Sequence, residues 1–207
     1  DFLVLNAGMA DLTKTDIDEG NSTWEAGDVI TVVYDGAAYE YVAQSAGETT
    51  TFTSTAGISA YDASKPLVAY YPATDVAGII KIESEKTVTF KDGTQVNTSC
   101  APLVGTPKGD NFTDGALSVV FSNVFPVLEL RIDAGELAGT AKSIKVEPAS
   151  AVDFDGYLSF TGTVDPATLA VTPAENGTGN SITVNLPADA DPKQAMILKF
   201  PVGRFST

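Results

Sequence analysis

Apolar and polar residues alternate with a period of two along much of the chain. In Val127-Leu128-Glu129-Leu130-Arg131-Ile132, the apolar Leu128, Leu130 and Ile132 are separated by Glu129 and Arg131. This is the signature of a strand with one face in a core and the other in water. The same period recurs in Leu117, Val119 and Phe121, in Ile182, Val184 and Leu186, and around Ile144, Lys145 and Val146, and predicts half-buried antiparallel strands. The runs Val29-Ile30-Thr31-Val32-Val33-Tyr34 and Leu67-Val68-Ala69-Tyr70-Tyr71 are β-branched or aromatic almost throughout and predict strands deeper in a sheet. No helical stripe is present, and 134–140 allows at most a short turn of helix. The expectation is an all-β chain with about a dozen short strands.

Turn chemistry punctuates these runs. Asp35-Gly36, Asp92-Gly93, Asp114-Gly115, Asp155-Gly156 and Asn176-Gly177 are pairs that tolerate left-handed backbone, and Pro72, Pro126, Pro148, Pro166 and Pro187 interrupt strands. The polar stretch 97–115, rich in Gly, Pro and Thr, predicts a domain boundary. It divides the chain into an N-terminal sandwich, 1–113, and a C-terminal one, 114–207; a single large sandwich is the alternative. The opening Phe2-Leu3-Val4-Leu5 is apolar, and polar sequence follows it up to Trp24. It predicts a first strand on a long tether, which could be removed or exchanged without unthreading the core.

Composition narrows function more than fold. Of 207 residues, 43% are apolar and 19% charged, enough for a packed core and too few charges for a disordered acidic polymer. The 27 acids against 12 bases leave a net charge of −15, which repels nucleic-acid phosphates and anionic lipid headgroups. No run is apolar enough to predict a membrane span. Histidine is absent, which removes the usual general base, the commonest zinc ligand and the ordinary partner of a nucleophilic Ser or Cys. Cys100 is the single cysteine, so stability is expected from burial and strand pairing without an intramolecular disulfide.

Candidate chemistry is sparse. Asp16-Ile17-Asp18-Glu19-Gly20-Asn21 holds part of a calcium-loop pattern but lacks its third Asp and distant Glu, and reads as solvated tether. Asp153-Phe154-Asp155-Gly156 reads as a hairpin turn. Cys100 has no histidine to activate it, and no carboxylate pair is assigned to glycosidase chemistry. Trp24 reads as a core anchor, with a sugar-stacking platform as the alternative. The expectation is a protein with no catalytic residues, no metal ligands and no cofactor. Segments 36–41 and 105–112 are the loops a surface ligand would use.

Three segments in succession carry a resemblance: Thr13-Lys14-Thr15, Trp24-Glu25-Ala26-Gly27-Asp28-Val29-Ile30 and Ala69-Tyr70-Tyr71-Pro72. They resemble the opening of the fimbrillin-like proteins of Bacteroidales. Downstream, Leu117-Ser118-Val119-Val120-Phe121-Ser122-Asn123, Leu128-Glu129-Leu130-Arg131-Ile132, Ser143-Ile144-Lys145-Val146 and Gly156-Tyr157-Leu158-Ser159-Phe160 are similar to that family's second domain. The resemblance implies an exported, lipid-anchored precursor of the outer-membrane surface and two transthyretin-like or Ig-like antiparallel β-sandwich domains. The second is expected to continue past Thr207. It also implies a non-catalytic subunit of a type V fimbria or adhesin whose partners are other fimbrial subunits, joined by strand exchange, with a host protein or glycan as a further partner. Phe2, Leu3, Val4 and Leu5 are the candidate assembly strand. Lys14, the one basic residue before Lys65, is the candidate processing site. A surface binding module and a carboxylate-pair carbohydrate-active enzyme are the alternative functions.

Overall fold

The computed structural model describes residues 2–9, 23–74, 78–90, 95, 101–150 and 154–206. Among these there is no helix, and strands account for the regular structure. The chain forms two compact units, one of 1–79, 102–124 and 164–171, the other of 80–101, 125–163 and 172–207. It therefore passes between units five times. The division at 113/114 predicted from composition differs from this one, because 103–113 is the longest strand of the first unit and pairs with the strand that follows it.

The first unit is a closed barrel of seven strands: β1 (Val4–Met9), β2 (Val29–Tyr34), β3 (Ala37–Ala43), β4 (Thr49–Thr53), β5 (Leu67–Tyr71), β8 (Leu103–Thr113) and β9 (Ala116–Asn123). Their order around the barrel is β1-β4-β3-β2-β5-β8-β9. Where alternation predicts a sandwich with open edges, the hydrogen-bonded order here returns on itself. Two tight hairpins fix registers. Asp35 and Gly36 (φ 48° and 81°) join β2 to β3, and Asp114 and Gly115 (φ 54° and 81°) join β8 to β9. Both central residues of each turn are left-handed, the geometry whose twist matches that of the strands.

Trp24 lies at the centre of this barrel's core. Its ring meets Phe52, Tyr71 and Phe121 edge to face at centroid distances of 5.0, 5.2 and 5.0 Å, the arrangement aromatic quadrupoles favour. The core-anchor reading holds. Phe121 is accommodated because Gly105 lies directly opposite it across the β8–β9 ladder; a Cβ on Gly105 would sit 2.8 Å from the Phe121 ring.

The second unit is built from several small sheets. β10 (Val127–Ile132) pairs antiparallel with β16 (Met196–Pro201). β15 (Ile182–Asn185) lies between β11 (Ser143–Val146) and β7 (Glu85–Thr87). β13 (Ser159–Val164) lies between β6 (Ile79–Ile82) and β14 (Val171–Gly179), and β12 (Asp155–Gly156) pairs with β17 (Phe205–Ser206). Ile182 and Val184 are fully buried, as the alternation predicts, while Leu186 is half-buried; Leu198 and Phe200 of β16 are fully buried as well. Two turn predictions fail here. Asn176 and Gly177 lie inside β14, where Asn176 has φ 56° and marks an irregularity rather than a hairpin. Asp155 and Gly156 form β12 rather than a turn.

Gly105→Ala is expected to destabilise the protein by about 1–3 kcal/mol through overpacking, measured by urea unfolding. Phe121→Leu in the same chain should recover part of that loss; equal losses in single and double variants would contradict the close contact as its cause.

Candidate functional site

The barrel closes through β1. It runs antiparallel to β4, with Leu5 opposite Phe52 and Gly8 opposite Thr49, and parallel to β9, with Val4 opposite Ala116 and Met9 opposite Phe121. Every other described pairing in the barrel is antiparallel. Parallel ladders are slightly weaker per residue, so the β1–β9 seam combines non-local pairing with the poorer hydrogen-bond geometry.

The pleat of β1 divides its side chains. Leu3, Leu5 and Ala7 are buried, Leu5 completely, and Met9 packs against the same core. Val4 is half-buried, and Asn6 is exposed and accepts a hydrogen bond from the Thr51 hydroxyl at 3.2 Å. Leu3 precedes the strand proper and is tied by its N–H to the Ile58 carbonyl at 2.7 Å, while Val4 donates to the Gly115 carbonyl at 3.1 Å. Phe2 lies outside the strand and is 41% exposed. Of the four residues proposed from sequence as an assembly strand, Leu3 and Leu5 therefore face the core, Val4 faces away from it, and Phe2 stands in solvent. Ala7 and Met9 complete the inward row. The alternation of Leu3, Leu5, Ala7 and Met9 with Val4, Asn6 and Gly8 carries that signal, but the polar Asn6 hides it.

Lys14 and the acidic stretch Asp16 to Asn21 lie outside the described residues, as do Cys100 and Asp153. Among the described residues no group of three acidic or thiol side chains could hold a metal ion. Two shallow grooves are lined by 38–56 and by 95–197, and each lining contains a single carboxylate, Glu40 and Asp133 respectively. The segments expected to be ligand loops are mostly strand: 37–41 belongs to β3 and 105–112 to β8.

Two separated segments of the family-like pattern meet in space. The Asp28 carboxylate accepts from the Glu25 N–H at 2.8 Å and from the Tyr71 hydroxyl at 3.0 Å. The turn over Gly27 (φ 94°) that precedes β2 is thereby closed, and the Tyr71 ring is fixed against Trp24.

Charge is tuned locally in both units. The Asp35 carboxylate raises the Lys65 amine above its ordinary value across a 3.0 Å ion pair. Asp165 is held below the ordinary carboxylate value by the Ala167 and Thr168 N–H groups. In the second unit, burial pushes the Lys86 amine down to about 8 against the opposing charge of Glu83. Its Nζ donates to the Pro201 carbonyl at 3.3 Å and stands 5.7 Å from the centre of the Phe200 ring.

No protein-family model matches the chain, and no curated protein does. Two solved structures share its fold. One is a putative cell adhesion protein from Bacteroides uniformis ATCC 8492, with a TM-score of 0.52 and 18% identity, covering 97% of this chain and 73% of that one. The other is a putative cell adhesion protein from Bacteroides ovatus ATCC 8483, with a TM-score of 0.51 and 15% identity, covering 98% of this chain and 78% of that one. At such identities the likeness is one of fold.

Leu5→Ala is expected to cost about 2–5 kcal/mol by leaving a cavity at the β1 seam, and Val4→Ala distinctly less; equal losses in urea unfolding would contradict the inward assignment. For Lys86, the folded chain releases its proton near pH 8 and the unfolded chain near 10.5. Between those values the unfolded state binds more protons, so this group makes stability rise with pH across that window. Lys86→Met should abolish that rise, seen as urea midpoints that no longer increase from about pH 7 to about pH 9.5, and should be no less stable at the lower pH.

Proposed function

We propose that this chain is a non-catalytic structural or accessory subunit of a cell-surface fimbria or adhesin, assembled by exchange of β1. In this reading each unit corresponds to one sandwich-type domain of a fimbrillin-like protein. The observation that carries it is the seat of β1 between β4 and β9. One short strand supplies both ladders and a row of core side chains, and its chain connection to β2 runs through residues 10–28. Its departure would expose two strand edges and an apolar trough at once. An incoming strand would bind by main-chain hydrogen bonds and be selected by alternate side chains. The shared fold with two Bacteroides proteins described as putative cell adhesion proteins supports a surface, adhesion-related role. Partners are then other subunits of the same assembly, and the chain is exported and held at the outer membrane.

A second reading, a surface module that binds a glycan or host protein, is favoured by one observation. Tyr34, Tyr61 and Phe112 form a row of rings with successive centroids 5.7 and 5.3 Å apart, and Phe112 is 45% exposed. The exposed Phe112 ring offers a flat apolar face to a ligand.

Limited trypsin digestion of the folded protein distinguishes the two. The exchange reading predicts a cut after Lys14, loss of the segment bearing β1 by intact mass, and larger species on size exclusion. A chain that resists cutting, or that stays monomeric after losing β1, contradicts it and leaves the aromatic row as the functional surface.

A further inference from the structure

We propose that residues 38–40 of β3 form a second, separate acceptor edge, built for an extended segment of a partner protein that carries a lysine or arginine. β3 pairs with β2 from Ala37 to Val42 but with β4 at Val42 and Ala43 alone. The direction of its free groups follows from its end. Ala43 donates to the Asp28 carbonyl (2.8 Å), on the β2 side, and Gln44 donates to the Thr51 carbonyl (2.9 Å), on the β4 side. Because successive residues of a strand alternate in this direction, Ala38, Glu40 and Val42 turn their N–H and C=O groups toward the β4 side. The Val42 carbonyl accepts from Gln44 Nε2 at 2.9 Å. Among the described residues nothing pairs with the outward groups of Ala38 and Glu40.

The gap has a structural cause. Past Thr53 the chain is drawn off the line of β4 because the Tyr41 hydroxyl, inside the barrel, accepts from the Ile58 N–H at 3.1 Å. A Cβ on Gly57 would come within 2.7 Å of that hydroxyl, so a glycine is needed for the approach. What remains between β3 and the departing chain is a groove of about 550 Å³, whose lining includes Ala38, Glu40, Val42, Gln44, Thr53 and Thr55. A guest strand would occupy the line that β4 would have followed past Thr53, with its backbone on Ala38 and Glu40. Its side chains would rest among small and β-branched neighbours, Val42 being 37% exposed.

Unprotected edges are normally blunted, and β14 shows the contrast. It is the outer strand of its sheet and carries Pro173, Glu175 and the irregularity at Asn176. Residues 38–40 have no proline and no bulge. Glu40 is the one charged residue of the groove lining. It repels a second copy of a chain whose net charge is −15 and attracts a cationic strand, so one carboxylate selects for one partner and against another.

The probe is a fluorescent heptapeptide, Thr-Val-Thr-Lys-Thr-Val-Thr, titrated with the whole chain by anisotropy. Saturable binding is expected. Ala38→Pro removes an outward N–H without touching the β2 ladder, and should weaken binding at least about tenfold. Glu40→Lys, at an exposed position that keeps the fold, should weaken it about tenfold and favour the Glu-centred counterpart peptide. Absence of saturable binding, or equal affinity for both peptides in parent and Glu40→Lys, overturns the proposal. Dimerisation of the parent that Ala38→Pro abolishes would also overturn it, since the occupant would then be a second copy.

Discussion

Closure of the first unit rests on β1 bonding two strands at once. Without it, β4 and β9 are the two edges of a six-stranded sheet, and Leu117, Val119, Phe121 and Phe52 lose a layer of contacts. With it, the same strand supplies backbone partners to both edges and sends Leu3 and Leu5 into the core. Burial of two leucines contributes roughly 3–6 kcal/mol, the same order as the entire stability of an ordinary domain. A strand that replaced β1 would have to repeat both its ladders and its inward pattern of large, large and small residues. A polar or shifted strand would put its apolar row on the wrong face, since a slip of one residue inverts every side chain.

The rest of the barrel is organised around that closure. Trp24 is tied through its backbone to Gly47, meets Phe52 of β4 and Phe121 of β9, and so packs on both strands that receive β1. Gly105 leaves the room that the Phe121 ring occupies beside β8. The cost of bringing distant parts of the chain together is met by an aromatic cluster rather than by a disulfide, which a single cysteine cannot provide. The net acidity and the Glu40 edge act on a different level: they leave the fold alone and restrict which surfaces pair with it.

Much of this was legible in the sequence. Period-two alternation located β9, β10, β11 and β15, the Asp35-Gly36 pair marked the turn between β2 and β3, and the burial of Trp24 followed from its size. What escaped were features set by long-range pairing. The stretch 97–115 reads as a linker because Gly105, Pro107 and Gly109 are poor strand formers, yet Gly105 is required by Phe121, and the pairing of β8 with β9 skips register between Pro107 and Phe112. Asn176-Gly177 has turn chemistry but is absorbed into β14. The interleaving of the two units depends on which strands pair, information that local propensity does not contain. At the site, sequence located the opening strand but ended it at Leu5, because Asn6 and Gly8 face outward and look like the start of a tether.

The central claim is that β1 can leave while the remaining strands stay folded. Native-state hydrogen exchange resolved by residue, in the absence of denaturant and in low urea, tests it most directly. The account predicts that the amides of β1 open in a sub-global event of lower free energy than those of β2 and β5, with weak urea dependence. If β1 amides exchange only through the same global, strongly urea-dependent unfolding as β2 and β5, then β1 is an integral barrel strand and the exchange account is contradicted.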